Sequence, residues 1–347
     1  MNIIYLYLDT KIVGSAKMIV KYVDNGVFDR GCLLVLLKKY KHRSIKDIIS
    51  IFEKNCVSYK LVNNGDTDRL EKGIVYYLFN AQSNCRVVAN RNLSHIFTTH
   101  GESNKRASIK PILRIYDQIY VAGKAGIDRL KNNGIVNNED IATGKVKIVG
   151  NKFIDKTGFN SHSGCDCIAY CPTWEGGIEE ENYSSLSYTD YVGRVIVEAF
   201  KKKQNNCLVI KLHPNIGFRN KNYYKYLLNL CSYMKCYCGD IRIVIVRNGF
   251  EIPFMLELRL RLLGIQLNAN IGDFKAILGF CDVSAVETQF LNENIEYYIF
   301  INKNGKKIDF YREHKYYKTA ALGVDGEIEL QDNINSDFVS LKKYFIS

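Results

Sequence analysis

Residues 167–214 contain a strand–helix–strand pattern that decides the fold class: CIAYCPT (167–173), TDYVGRVIVEAFKKK (189–203) and CLVIKLHP (207–214). The outer two runs are short and apolar, whereas the middle segment is amphipathic. This order is typical of two parallel strands joined by a helix that packs on their sheet. The same alternation continues in both directions along the chain, so the sequence predicts an α/β protein with parallel sheets.

The alternation falls into two series separated by a polar stretch at 151–164. The first series has predicted strands at 3–8, 32–37, 56–62, 85–89, 95–99, 118–123 and 145–150, and predicted helices at 44–55, 68–82 and 125–134. The second series starts at residue 167 and adds predicted segments at 222–235, 241–246, 274–280, 284–292 and 296–302. We therefore expect two Rossmann-like domains, at 1–155 and 156–330, and a C-terminal helix within 331–347 that packs back. The segment 247–272 is compatible with a helix plus a strand.

Charge is distributed unevenly between the two series. Residues 1–160 contain 26 basic and 14 acidic side chains, and residues 161–347 contain 22 of each. A positive first half favours a negatively charged partner, such as a polyanionic acceptor or an anionic membrane surface, over a simple solubility charge. Within this half we single out one basic patch before the predicted helix 44–55, which consists of Lys38, Lys39, Lys41 and Arg43. Ser44 is the expected N-cap of that helix, and its apolar face is expected to join the core or to lie at a membrane surface.

The eleven cysteines do not form a zinc pattern or a disulfide framework. CDCIAYC (165–171) reads as a strand, which places Cys165, Cys167 and Cys171 on one face. Because no C-x-x-C pair is present, free thiols are favoured over zinc. No apolar run is long enough to span a membrane and the first residues lack a secretory pattern, so we expect a cytoplasmic protein, either free or peripheral on the inner membrane face.

The segment IFTTHGESNKRASIK (96–110) is a short strand that leads into a loop rich in cations. His100 at the end of a strand is suited to general-base work, and Gly101 permits a sharp turn beside it. The amides of this loop, with Ser103 and Lys105, are expected to face an anion. An ordinary loop histidine that caps a turn is the alternative.

The second series repeats this arrangement. VIKLHPN (209–215) is again a strand that ends in a histidine, His213. FCDVSAVETQFL (280–291) places Asp282 at a strand end and Ser284 at the start of a helix, where free amides can bind phosphate. Ser284 as a plain N-cap is the alternative, and Glu287 is compatible with a capping box or with a contact to a ribose.

Five tracts occur in the order found in the CDP-glycerol glycerophosphotransferase family, which includes teichoic acid primases and polymerases and domains of capsule polymerases. They are the strand with THGESNK (99–105), YVAGKAGIDRL (120–130), YCPTWEG (170–176), KLHP (211–214) and DVSAVETQFL (282–291). The chain resembles this family from about residue 90 to residue 302. The resemblance implies a GT-B fold, in which two Rossmann-like domains face each other across a cleft.

The resemblance also implies roles for individual residues. His100 matches the family's catalytic base, and His213 matches a second essential histidine that contacts donor phosphate. Ser284 and its neighbours match a pyrophosphate-binding helix start. The donor-side loop corresponds to Pro172, Thr173 and Trp174. Two positions depart from the family pattern, because Glu175 stands where Arg or a small polar residue is usual and Ala285 replaces a second serine.

The implied reaction transfers glycerol phosphate or ribitol phosphate from a CDP-activated donor to a hydroxyl of a glycan or lipid-linked acceptor, with release of CMP. Donor phosphate contacts are then expected from Gly101, Ser103, Lys105, Asp282, Ser284 and Glu287. No tightly bound cofactor is expected, and no divalent metal is expected either. Nucleic acid is not an expected partner, and the sequence does not indicate an oligomeric state.

Two alternatives remain open, one a different enzyme with the same fold and one a protein of a different class. The first is a GT-B glycosyltransferase that uses a nucleotide sugar, including a CMP-activated acidic sugar, in capsule or lipopolysaccharide synthesis. The second is a non-catalytic module that binds a polyanion through scattered basic residues. A catalytic reading needs histidines that converge on one site, whereas the binding module does not.

Overall fold

A computed structural model of the chain describes residues 3–98, 101–246, 252–267, 269–331 and 337–347. The chain divides into two compact units. Unit 1 comprises Met1–Glu102, Ser108–Ile154 and Tyr344–Ser347, and unit 2 comprises Ser103–Ala107 and Asp155–Lys343. The boundary between Ile154 and Asp155 lies one residue before the boundary expected from the sequence. A larger difference from the expected domains concerns Ser103–Ala107. This short segment of the cation-rich loop belongs to unit 2, although it lies within the expected first domain.

Within the described residues, unit 1 contains one seven-stranded parallel sheet with the order β3-β2-β1-β4-β5-β6-β7. Its strands are β1 (Ile4–Leu8), β2 (Leu33–Lys38), β3 (Tyr59–Val62), β4 (Gly73–Tyr77), β5 (Leu93–Thr98), β6 (Gln118–Val121) and β7 (Val146–Ile148). Alternate residues of β1 point to opposite faces, with Tyr5 and Tyr7 in one hydrophobic cluster and Leu6 and Leu8 in another. The sheet is therefore buried on both faces, as parallel sheets require.

The helices of unit 1 lie in the crossovers between these strands. They are α1 (Val13–Asp24), α2 (Arg43–Lys54), α3 (Asn64–Asp68), α4 (Asn84–Val88), α5 (Lys124–Asn132) and α6 (Asn138–Ala142). The sequence analysis missed α1, which connects β1 to β2. Helix α2 begins one residue earlier than expected, and its N-cap is His42, whose imidazole accepts a hydrogen bond from the Ser44 amide. Ser44 therefore lies inside the helix.

Two predicted segments of unit 1 have the wrong type. Residues 68–82 were predicted as a helix, but they contain β4, which pairs with β1 and β5. Residues 85–89 were predicted as a strand because of their valines, but they form most of α4, with Val87 and Val88 in the core. The short helix supplies the crossover that two adjacent parallel strands, β4 and β5, require.

Unit 2 contains, within the described residues, a second seven-stranded parallel sheet with the order β11-β10-β9-β8-β12-β13-β14. Its strands are β8 (Cys165–Cys171), β9 (Cys207–Lys211), β10 (Arg242–Val246), β11 (Gln266–Leu267), β12 (Phe274–Asp282), β13 (Tyr297–Ile301) and β14 (Ala321–Gly323). Cys167 and Cys171 of β8 are buried, whereas Cys165 is exposed at the start of the strand.

Most helices of unit 2 lie in segments predicted from the sequence, but the two short helices between residues 310 and 320 were not predicted. The helices of this unit are α7 (Thr189–Lys203), α8 (Asn222–Cys238), α9 (Phe254–Leu262), α10 (Val286–Asn292), α11 (Phe310–Glu313), α12 (Tyr317–Ala320) and α13 (Phe338–Phe345). The described part of 247–272 contains α9 and β11, the helix plus strand that the sequence allowed. Helix α13 begins in unit 2, and its last two residues belong to unit 1. Of the helices in the described ranges, none has the length and apolar character needed to span a membrane.

The predicted class of two Rossmann-like parallel α/β domains is confirmed, since each unit contains one parallel sheet with helices in its crossovers. In each sheet the strand order reverses once beside the first strand of the unit. The reversal lies between β1 and β4 in unit 1, and between β8 and β12 in unit 2. Open α/β sheets bind ligands at such switch points, outside the carboxyl ends of the strands.

Candidate functional site

The switch point of unit 2 is formed by the segments that follow β8 and β12. Pro172 and Thr173 come directly after β8, and Val283 and Ser284 come directly after β12. The two strands pair in parallel up to Cys171 and Cys281, so both segments leave the same edge of the sheet. The fold thus brings together the donor-side loop and Ser284, two tracts that are more than a hundred residues apart in the sequence.

Lys105 supplies the cation at this switch point. Its Nζ lies 2.8 Å from Thr173 Oγ1 and 5.8 Å from the centre of the Tyr183 ring. The preceding turn is closed by Ser103, whose hydroxyl accepts a hydrogen bond of 3.1 Å from the Lys105 amide. Because Ser103–Ala107 belongs to unit 2, this ammonium group is an integral part of the site.

Asp282, the last residue of β12, holds the loop that follows β8. Its fully buried carboxylate accepts a hydrogen bond of 2.7 Å from the Thr173 amide and one of 3.1 Å from the Ser185 amide. The sequence analysis placed Asp282 among the residues that contact donor phosphate. The structure gives this carboxylate protein donors instead, so Asp282 is better described as a residue that positions Thr173.

The environment moves the pKa values of both charged groups towards neutrality. Burial raises the pKa of Asp282 to about 7, although hydrogen bonds from Ser185 and Thr173 and the charge of Lys105 oppose the rise. Burial likewise lowers the pKa of Lys105 to about 8, against the attraction of Asp282 and Glu181. Removal from water dominates both shifts, because it disfavours the charged form of each group. Keeping the Lys105 ammonium charged away from water costs free energy, and an anionic ligand bound beside it would offset this cost.

Two buried asparagines after β13 also hold the loop that follows β8. Asn302 Nδ2 donates to the Asn182 carbonyl at 3.0 Å, and Asn304 Nδ2 donates to the same carbonyl at 2.8 Å. The hydroxyls of Tyr170 and Ser185 lie 2.8 Å apart in the same region. The sequence analysis missed these residues, and asparagines that follow a buried strand are the only sequence signal that could have indicated them. Their contacts preorganise the loop before any ligand binds.

His213 lies beyond the end of the neighbouring strand β9 and stacks on the indole of Trp174. The ring centres are 5.9 Å apart and the planes are inclined by 16°. The Asn215 amide donates to Nδ1 of His213 at 3.1 Å, so Nε2 carries the proton in the neutral ring. An imidazole held in this tautomer can donate from Nε2 to a phosphate oxygen. The structure thus places Trp174 and His213, which come from two separate tracts of the sequence, side by side in unit 2.

Glu175, one of the two positions that depart from the pattern of the resembled family, has a structural role here. Its fully buried carboxylate accepts hydrogen bonds from the amides of Gly217, Arg219 and Asn220, at 2.9–3.1 Å. Gly217 has φ +75° and a tyrosine ring against its α-carbon, a position that accommodates only glycine without strain. The carboxylate therefore fixes the segment after His213 to the segment after Trp174. This contact helps to keep the two rings stacked.

Ser284 and Glu287 have other surroundings than those expected. Ser284 is buried and precedes the seven-residue helix α10, and its hydroxyl accepts a hydrogen bond of 3.3 Å from the Val286 amide. The helix N-cap is Ala285. Glu287 is also buried, and its carboxylate accepts hydrogen bonds from three phenol groups. The three donors are Tyr297, Tyr311 and Tyr317.

This tyrosine cluster makes a phosphate contact by Glu287 untenable, because its acceptor oxygens are directed at protein donors inside the core. Asn104 connects the cluster to the segment that carries Lys105, since its amide donates to Tyr311 Oη at 3.3 Å. We therefore reassign Glu287 from a ligand contact to a buried core residue that fixes Tyr311, the hydrogen-bond acceptor of Asn104.

The remaining predicted residues of the loop lie elsewhere. His100 falls outside the described residues, so its role as a base stays a prediction. Gly101 belongs to unit 1 and has φ +111°, which favours glycine. The next residue, Glu102, is buried in unit 1, where it accepts hydrogen bonds from the Ala122 amide and from Arg129. The chain is therefore anchored in unit 1 immediately before it enters unit 2 at Ser103.

The switch point of unit 1 carries an ion pair that the sequence analysis did not single out. Asp9 follows β1 and accepts hydrogen bonds from Lys38, Tyr40 and Ser83, with Lys38 Nζ at 3.0 Å. Burial alone would raise the pKa of Asp9, but these three donors outweigh it and the pKa lies below its usual range. An aspartate that directly follows an apolar strand is the sequence signal for this cluster.

The predicted basic patch is divided by this ion pair. Lys38 is partly buried on Asp9, whereas Lys39, Lys41 and Arg43 are exposed. The apolar face of α2 is buried in the core of unit 1. Of the two readings of that helix, the core reading is therefore the one that the structure supports.

Neither a protein-family model nor a curated protein matches this sequence. Solved structures with a similar fold include a UDP-N-acetylglucosamine 2-epimerase from Listeria monocytogenes, with 12% identity and a TM-score of 0.45 over 87% of this chain and 79% of that chain. The UDP-GlcNAc 2-epimerase from Methanocaldococcus jannaschii has 11% identity and a TM-score of 0.44 over 98% of both chains. A trehalose-6-phosphate synthase has 6% identity and a TM-score of 0.41 over 98% of this chain and 90% of that chain. At such identities these likenesses carry no information on the activity of this chain.

Proposed function

We propose that the chain is a transferase whose donor is a nucleotide-activated compound bound at the switch point of unit 2. The observation that carries the proposal is the position of Lys105. Its ammonium group donates to the neutral hydroxyl of Thr173 at the edge of the sheet where such folds bind nucleotides. A donor phosphate there would replace a neutral acceptor by a charged one, which adds the attraction between opposite charges to the hydrogen bond.

The finer form of the proposal is transfer of glycerol phosphate or ribitol phosphate from a CDP-activated donor. The support comes from the tracts that resemble CDP-glycerol glycerophosphotransferases. Three of the five, which carry Thr173, His213 and Ser284, end strands at one edge of the unit 2 sheet. A donor diphosphate placed at this edge would have Lys105 and His213 as candidate partners.

In the proposed reaction the oxygen of an acceptor hydroxyl attacks the β-phosphorus of the donor. The bond from this phosphorus to the bridging oxygen breaks, and CMP leaves with the bonding electron pair. The hydroxyl proton passes to a base, for which His100 is the candidate from the sequence. Phosphoryl transfer of this kind depends on positioning and charge neutralisation more than on covalent catalysis, which fits the preorganised loop around Asp282.

The proposed acceptor is a polyanionic glycan or a lipid-linked polymer at the inner membrane face. Its support is the excess of basic over acidic side chains in residues 1–160. Such a field raises the rate of encounter with a polyanion and is weakened by salt.

The test is a nucleotide-release assay with purified protein. CDP-glycerol, CDP-ribitol, UDP-sugars and a CMP-activated acidic sugar are supplied with a hydroxyl acceptor, and released CMP and UDP are quantified. We expect CMP from a CDP-alditol, and loss of this release in His100→Ala and in His213→Ala. Release of UDP, or transfer of the acidic sugar, would support the nucleotide-sugar glycosyltransferase instead. No release from any donor would leave the non-catalytic polyanion-binding module and refute the proposal.

A further inference from the structure

Helix α9 is apolar on two opposite sides, although only one side lies in the core of unit 2. Its sequence is FMLELRLRL, and it stands between β10 and β11. Leu256 and Leu260 are buried, with Leu260 fully inaccessible to solvent. A helix that is apolar all round is normally buried all round. The second apolar side of α9 therefore requires an explanation.

Four large apolar side chains make up the second side. Their exposed fractions are 76% for Phe254, 59% for Met255, 42% for Leu258 and 79% for Leu262. At about 100° per residue, these four positions fall within an arc of about 100° on the helix surface. They thus form one continuous apolar stripe along the whole helix, and such patches mark interaction surfaces.

The two arginines of α9 lie at the edges of this stripe. By the same helical geometry, Arg261 falls just outside Phe254 on one side, and Arg259 falls just outside Met255 on the other. Both are exposed, and Arg261 also pairs with Glu257 at 2.8 Å. An apolar stripe with cations at both edges is typical of helices that lie in the interface of an anionic bilayer. Arginine side chains can bury their stems there and keep their charge at the headgroups.

We infer that the exposed face of α9 binds the surface of a bilayer that contains anionic lipids. The stripe enters the boundary between headgroups and acyl chains, and Arg259 and Arg261 contact lipid phosphates. A protein partner with an apolar groove would not need a cation on both edges of the stripe, whereas a phosphate layer on both sides of an inserted helix does. This inference does not depend on the donor site, since it concerns residues outside it.

The membrane-binding helix inferred here, α9, differs from the one suggested by the sequence. From the sequence, α2 was the candidate, because basic residues precede it and one of its faces is apolar. In the structure the apolar residues Ile45, Ile48 and Phe52 of α2 are buried in unit 1. Of these two helices, α9 is the one in which an exposed apolar stripe is flanked by cations.

The test is co-sedimentation of the full chain with vesicles of phosphatidylcholine alone or mixed with phosphatidylglycerol. The variant Leu258→Ser/Leu262→Ser changes two exposed positions, so its thermal unfolding is expected to match that of the wild type. We expect its partition onto the mixed vesicles to fall about tenfold, because two buried leucine side chains are lost. Phe218→Ser/Val339→Ser is the matched control, since both residues are exposed and apolar but lie outside α9.

A second variant, Arg259→Gln/Arg261→Gln, tests the charge at the edges and leaves the stripe intact. It is expected to bind mixed vesicles several-fold more weakly and to lose most of the salt dependence of binding. Equal binding of the wild type and both variants would overturn the inference. A second copy of the chain as the occupant would also overturn it, and would appear as a wild-type dimer in analytical ultracentrifugation that the leucine variant converts to a monomer.

Discussion

An aspartate and a lysine lie at the switch point of each sheet, but only those of unit 1 form a direct ion pair. In unit 1, Lys38 donates directly to Asp9, and the pKa of this aspartate is below its usual range. In unit 2, Asp282 accepts two backbone amides and Lys105 donates to Thr173. The pKa of Asp282 is raised to about 7 and that of Lys105 is lowered to about 8, in both cases by burial.

The difference shows that the role of a buried charged group depends on whether its partners are charged or neutral. The pair in unit 1 largely satisfies itself, so it contributes to the structure of the β1 end. In unit 2 the hydrogen-bond partners of both charged groups are neutral, namely two backbone amides for Asp282 and a hydroxyl for Lys105. A buried charged group whose partners are mainly neutral is a candidate ligand site, because a ligand can supply the opposite charge.

The largest expected effect is that of Lys105→Met on donor use. We expect kcat/KM for the donor to fall about 100-fold, since a hydrogen bond between charged groups contributes roughly 1.5–3 kcal/mol. Lys105→Arg keeps the charge and should lose less. The matched control is Lys38→Met at the other switch point, for which less than a threefold change is expected. Equal losses in the two methionine variants would remove the distinction between the switch points.

The next effect concerns the loop geometry of unit 2. Glu175→Gln turns an acceptor of three amides into a group with a donor facing them, and we expect the free energy of unfolding to fall by about 2 kcal/mol. Glu179→Gln is the control, because Glu179 makes only exposed ion pairs with Arg219 and Lys303. Such pairs contribute about 0–1 kcal/mol. Denaturant unfolding of both variants measures the difference, and similar values would argue against an anchoring role of Glu175.

The pH dependence of stability should have opposite signs at the two lysines. The folded-state pKa of Lys105, about 8, lies below the unfolded value. Between these values the unfolded chain binds more protons, so Lys105 makes stability rise with pH from about 8 to 10.5. Lys38 has a raised pKa, because hydrogen bonds and charge from Asp9 outweigh the effect of burial. Its contribution is present at neutral pH and is lost as pH rises through that raised value.

Subtracting the unfolding free energy of each methionine variant from that of the wild type isolates these contributions. The difference for Lys105→Met should increase with pH above 8, and the difference for Lys38→Met should decrease at alkaline pH. Two differences with the same sign would contradict the contrast between the pairs.

The smallest effect is expected from the exposed part of the basic patch. Lys39→Gln/Lys41→Gln/Arg43→Gln should weaken binding of a polyanionic acceptor about threefold at low salt and have no effect at high salt. Lys38 is left intact, because Asp9 engages its charge. If neither salt nor these substitutions changes the measured affinity, the patch does not bind the acceptor.

Much of the architecture could be predicted from the sequence, because buried parallel strands and amphipathic crossovers have distinct periodicities. The segment 68–82 shows where this fails. Its polar first half resembles a helix, and only pairing of β4 with β1 and β5 stabilises the strand that it contains. The valines of α4 misled the prediction in the other direction, because tertiary packing overrides local propensity in short elements.

The positions of Thr173, His213 and Asp282, at or just beyond the ends of strands, could be predicted from the sequence. Their partners could not, because the contacts join distant segments. Lys105 meets Thr173 across 68 residues, and Glu287 meets three tyrosines that the sequence spreads over 297–317. A capping pattern and a buried tyrosine cluster give the same local sequence around Glu287, so only the fold separates them.

Fluorescence of Trp174 tests most directly whether donor phosphate binds at the switch point of unit 2. It is the only tryptophan of the chain, and it stacks on His213 beside the site. Titration with CDP-glycerol should change its emission saturably in the wild type and equally in Lys38→Met. Lys105→Met should require a donor concentration about 100-fold higher. Identical titration curves for Lys105→Met and the wild type, with CDP-glycerol and with the other nucleotide donors, would contradict the assignment of the site.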